Sequence, residues 1–136
     1  MSDSEIRLGW LKVMYGANLV VSLPLGASVL VAPQAMRGLL RIPAGDPVSY
    51  LITSGAIPLA FGLAGAAGLR APIRFSPVLA VQLVYKVLFL VAGALPMILS
   101  GGVPSYAIPI LVIFVFFTVG NGIALPYHYL LSGLRA

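Results

Sequence analysis

Residues 77–99 read PVLAVQLVYKVLFLVAGALPMIL, a run in which Lys86 is the one charged side chain. A helix rises 1.5 Å per residue and the hydrocarbon core of a bilayer is about 30 Å thick, so roughly 20 apolar residues suffice to cross it. Three further runs meet that length, at 10–32, 48–69 and 107–129. The composition agrees: 60% of the 136 residues are hydrophobic and 8% are charged, whereas a soluble domain carries about 25% charged residues. Too few charges are present to cover a water-facing exterior. The pattern predicts an all-α integral membrane protein, a single-domain four-helix bundle with antiparallel up-down topology.

The connections supply the breakers such a bundle needs. Pro33, Pro43, Gly45 and Pro47 fall in the first, Pro72 in the second, and Gly101, Gly102 and Pro104 in the third. Within the first connection, residues 34–42 set Arg37 and Arg41 four apart among Met36, Leu39, Leu40 and Ile42, which predicts a short helix lying at the membrane interface between the first two spans. The N-terminal side of the bundle collects Arg7, Lys12, Arg70, Arg74 and Arg135, against Arg37 and Arg41 on the other. The positive-inside rule then places both termini in the cytoplasm, in a bacterial-type inner or plasma membrane. The first residues carry Asp3 and Glu5 where a signal peptide would carry basic residues, so the first run reads as a retained helix. A net charge of +5 spread thinly between apolar runs orients a membrane protein and does not form a nucleic-acid surface.

In lipid, helices associate through close approach at small residues and through hydrogen bonds more than through apolarity. Ala56, Ala60, Ala64 and Gly68 recur at every fourth position of the second span, with Gly62, Gly65 and Ala66 alongside, which marks it as the central packing helix. Asn18, Ser22 and Gly26 share a face of the first span, and the fourth offers Gly120 and Ala124. Pro24, Pro58, Pro96, Pro109 and Pro126 fall within the spans as drawn. An interior proline frees the carbonyl four residues earlier, here those of Val20, Ser54, Ala92 and Gly122. Such carbonyls mean either ordinary curvature or kinked helices around a wet or ligand-filled space.

Lys86 lies near the middle of its span, and a lysine facing lipid at that depth costs about 2.5–3.5 kcal/mol on insertion scales. It should therefore face the bundle interior or another subunit. The acids Asp3, Glu5 and Asp46 all lie outside the spans, so no carboxylate is at hand. Other polar side chains converge on the same depth: Gln82, one turn before Lys86, with Asn18 and Ser22 of the first span and Asn121 of the fourth. These five are the candidate ligand- or partner-binding residues. Amide oxygens of the layer, with the freed carbonyls of Val20 and Gly122, are candidate acceptors for the lysine amine. The readings for the layer are a structural network that fixes helix register, a site for an external anion (a ligand carboxylate or a partner subunit's acid), a proton relay and, last, a Schiff-base lysine.

Familiar catalytic chemistry has no counterpart in the chain. Cysteine is absent, which excludes disulfides, thiol relays and Cys-ligated metals. The single histidine, His128, sits between Tyr127 and Tyr129 as part of an interfacial aromatic belt and cannot form a paired haem ligation. No catalytic residues and no metal ligands are assigned, and a cofactor is left open. The leading expectation is a non-enzymatic membrane protein that acts through association, as an accessory subunit of a membrane complex or as a homo-oligomer. The alternative is a small transporter or channel that binds an anionic or amphipathic ligand beside Lys86 near the bilayer midplane.

Overall fold

The computed structural model describes residues 7–41 and 55–135, which are helical with short connections and contain no strand. The helices in chain order are α1 (Leu8–Val31), α2 (Pro33–Leu40), α3 (Ala56–Arg70), α4 (Ser76–Leu99), α5 (Ser105–Ala124) and α6 (Tyr127–Leu134). Three of them, α1, α4 and α5, are long and apolar enough to cross a membrane. The second expected span is represented by α3, whose 15 residues rise about 22 Å, short of a hydrocarbon core about 30 Å thick. The part of that span at 48–54 lies outside the described residues, as do Ile42, Asp46 and the acids near the N-terminus.

Proline placement explains most of the boundaries. Pro33 opens α2, and Pro58 falls in the first turn of α3, where the missing N–H would have no intrahelical partner in any case. Pro109 likewise sits in the first α-helical turn of α5. Pro126 ends that helix: Leu125, the residue before it, is extended at φ −63° and ψ 131°, as a residue preceding proline tends to be. The span expected to run through 107–129 is therefore cut, and α6 begins anew at Tyr127.

The two mid-helix prolines are handled differently. Each follows a wide π-type turn, at Asn18–Ser22 in α1 and at Leu90–Ala94 in α4. The Leu23 N–H donates to the Asn18 carbonyl and the Leu95 N–H to the Leu90 carbonyl, five residues back, and Pro24 and Pro96 then occupy the first turn of the resumed α-helix. A proline is unobjectionable there, so both helices continue past it.

The small-residue face differs from the expected one. Gly62, Gly65 and Gly68 are buried on α3, whereas Ala56 and Ala60 are exposed and Ala64 is half-buried. A Cβ added to Gly62 would lie 2.5 Å from the Leu23 Cα, and one on Gly65 would lie 2.7 Å from the Tyr15 carbonyl oxygen. On Gly68 it would enter the Tyr15 ring. Glycine permits a backbone approach that alanine does not, and this decides which face turns inward. From α1, Gly26 answers them, seated against the backbone of Leu59 and Gly55. The Tyr15 hydroxyl closes the contact by donating to the Pro72 carbonyl at 2.7 Å.

α1, not α3, holds the middle of the packing. It lies along α3 on one side and against α5 on the other, α4 packs mainly on α5, and α3 and α4 share only a short contact. One apolar cluster joins Leu11, Met14 and Tyr15 to Leu79, Phe117, Ala124 and Leu125; a second joins Val29, Ile110 and Phe114. The expected short helix is present as α2, and Met36 and Leu40 fold it back onto the second cluster. Between α4 and α5 the chain turns at Gly101 and Gly102, with φ of 142° and 116°, a region that residues with a Cβ rarely enter.

Candidate functional site

The antiparallel pairing of α4 and α5 sets Gln82 opposite Asn121, and α1 brings Asn18 to the same level. All three are at most 1% exposed. Asn18 and Gln82 form a reciprocal amide pair: Asn18 Nδ2 donates to Gln82 Oε1 at 3.1 Å, and Gln82 Nε2 donates to Asn18 Oδ1 at 2.7 Å. Asn121 Nδ2 adds a second bond to Gln82 Oε1 at 2.8 Å, and the Ser22 hydroxyl donates to Asn18 Oδ1 at 3.1 Å.

The orientation of every amide follows from one backbone contact. Asn18 Nδ2 also donates to the Met14 carbonyl at 3.1 Å, which only an N–H group can do. That fixes which end of Asn18 is oxygen, hence which end of Gln82 faces it, and hence that Asn121 turns its NH₂ group toward Gln82. The remaining atom, Asn121 Oδ1, is buried with no partner among the described residues.

Lys86 lies one turn beyond Gln82 and is 6% exposed. The expectation that amide oxygens and freed carbonyls hold its ammonium is not met. Gln82 Oε1 and Asn18 Oδ1 each already accept two hydrogen bonds within the layer. The Gly122 carbonyl accepts from the Tyr127 hydroxyl at 2.7 Å, and Val20 faces outward. Lys86 Nζ instead sits 3.9 Å from the Phe114 ring centroid, 5.0 Å from that of Phe117 and 5.6 Å from that of Tyr85. Aromatic faces attract a cation and compensate part of its lost hydration. Phe114 and Phe117 carry no hydrogen-bond acceptor. Among the described residues the amine has neither a hydrogen-bond partner nor a counter-ion.

These rings are the part of the site that the sequence reading missed. A signal was available, since Phe117 and Phe114 lie four and seven residues before Asn121 and so share its face. Phe114 also packs against Phe89 and Tyr85, with ring centroids 4.7 and 5.9 Å away and planes tilted by 55°, which holds the rings in place.

Lys86 lines a cavity of about 50 Å³ where α1, α3, α4 and α5 meet. Ser22, Gln82, Tyr85 and Lys86 form its polar side; Leu25, Ile57, Pro58, Phe61, Ile110 and Ile113 supply much of the apolar remainder. One water needs roughly 10–15 Å³ on a comparable measure, so the space admits more than a single solvent molecule. No group of three or more metal-ligating side chains occurs among the described residues, and His128 is exposed on α6. Comparison with protein-family models, with curated proteins and with solved structures finds no match.

Proposed function

We propose that the protein is an integral membrane four-helix bundle, its termini cytoplasmic, that receives a small anionic or amphipathic ligand beside Lys86 and works as a small transporter or channel. The observation that carries this reading is an almost fully buried lysine that lines a cavity and lacks both counter-ion and acceptor among the described residues. An intramembrane ionisable residue is by default a functional group, and a structural role is already filled by the amide layer, whose members bond to one another. Association with a partner through Lys86, as accessory subunit or homo-oligomer, fits less well, because a neighbour's acid would have to reach a side chain only 6% exposed.

The test compares wild type with Lys86→Met in nanodiscs, using radiolabelled chloride, acetate, octanoate and octyl sulfate for binding, and proteoliposome flux of the same anions. Methionine removes a buried cation without changing bulk much, so the bundle is expected to stay folded. At least one anion should bind and cross wild type and fail with the variant. Equal behaviour of the two proteins across the panel would sink the proposal. If the variant instead loses a co-purifying membrane subunit while anion binding is unchanged, the association reading takes its place.

A further inference from the structure

The polar side of the cavity carries one formal charge, that of Lys86; Ser22, Gln82 and the Tyr85 hydroxyl are neutral, and the other lining residues are apolar. A monoanion there would leave a neutral pair, whereas a dianion would leave an uncompensated negative charge in a low-dielectric space, which desolvation disfavours. Charge therefore selects a single negative group.

The walls select what is attached to it. A small hydrated anion keeps its stability by bonding water on all sides, and the apolar lining from α1, α3 and α5 offers nothing in exchange. A hydrocarbon chain gains from the same walls. The hydrogen-bond inventory narrows the headgroup further. The Ser22 hydroxyl and one N–H of Gln82 are directed at Asn18 Oδ1, so the protein brings chiefly the ammonium's donors and the Tyr85 hydroxyl to the ligand. An ammonium and one phenol suit the two oxygens of a carboxylate; the three or four oxygens of phosphate or sulfate would be left less fully satisfied.

We infer that the ligand is a single-chain carboxylate, whose headgroup meets Lys86 beside the Phe114 ring and whose hydrocarbon chain runs along the apolar lining near Leu25, Ile57 and Ile113. This rests on the proposed anion site at Lys86 and narrows it to one chemical class.

The experiment uses the full chain in phosphatidylcholine nanodiscs at pH 8 and measures binding of dodecanoate, dodecan-1-ol, dodecyl phosphate and acetate by equilibrium partition against empty discs. Dodecanoate should bind wild type about tenfold or more tightly than any of the other three, a ratio typical of one charge-assisted contact, and Lys86→Met should reduce it to the level of dodecan-1-ol. If the variant does not fold, the ratios on wild type alone decide. Dodecyl phosphate binding as tightly as dodecanoate would overturn the headgroup assignment. Acetate binding as tightly would overturn the chain, and in both cases a Lys86-dependent anion site would survive. No Lys86-dependent binding of any probe would remove the site itself. Repeating the measurement in phosphatidylserine discs separates the sources: unchanged dodecanoate binding is expected, and its loss would assign the carboxylate to a resident lipid headgroup and overturn the free single-chain ligand.

Discussion

Gln82 holds the amide layer together, donating to Asn18 and accepting from both Asn18 and Asn121. Its replacement by leucine strands donors on two other helices, whereas Asn121→Leu removes one donor and an acceptor that is already unpartnered. Gln82→Leu should therefore destabilise the protein by about 1–2 kcal/mol, as for interhelical polar contacts in membranes, and Asn121→Leu by clearly less. Thermal melts in one detergent can rank them, and an equal or reversed order would show that Gln82 is not the hub. The polar members of this layer were legible in the sequence because amides and a lysine stand out within apolar runs. The rings around Lys86 were not: phenylalanine in such a run looks the same whether it faces lipid or a cation.

At the scale of an element, α3 shows where small-residue reading succeeds and where it slips. The segment was recognisable as a packing helix, yet an alanine path and a glycine path both run along it, and spacing alone does not choose between them. The choice is made by the close passage of α1, which leaves no room for a Cβ at Gly62, Gly65 or Gly68. Gly65→Ala and Gly68→Ala should lower the melting temperature markedly and Ala60→Leu should not, since Ala60 is exposed. A melt in which Ala60→Leu is the worst of the three would return the alanine face to the interior. The π-type turns escaped the sequence reading for a related reason. Both helices are predominantly apolar, with large apolar side chains exposed as well as buried, so the extra residue in a turn disturbs no hydrophobic period that could betray it.

Across the whole molecule, hydropathy made the all-helical class and three of the long apolar helices readable, with ends displaced by at most two residues in α1 and α4. The order of packing was not readable, because lipid is as apolar as the side chains and imposes no inward-facing stripe. Charge, however, makes a prediction about orientation: the loop at 71–75, which contains Arg74 and follows Arg70, should face the cytoplasm. Single cysteines at 72 and 46, tested with an impermeant thiol reagent on intact cells, should label at 46 and stay protected at 72. The opposite pattern would invert the topology.

The hydroxyl of Tyr15 finds its acceptor 57 residues later, at Pro72, and the amide of Asn18 finds Gln82 64 residues later. A ribosome delivers the chain from its N-terminus, so in the proposed membrane protein α1 would enter the bilayer well before either partner exists. Until α3 and α4 follow, its polar face can turn only to its own backbone at Met14, to Ser22, or to whatever insertion machinery shelters it. Assembly thus has a waiting period built into its order of synthesis. Nascent chains arrested with about 70 residues outside the exit tunnel should crosslink from position 18 to an insertase, and chains arrested on a C-terminal extension that brings position 121 outside the tunnel should have lost that crosslink. An early release, before α4 emerges, would mean that α1 is content alone in lipid.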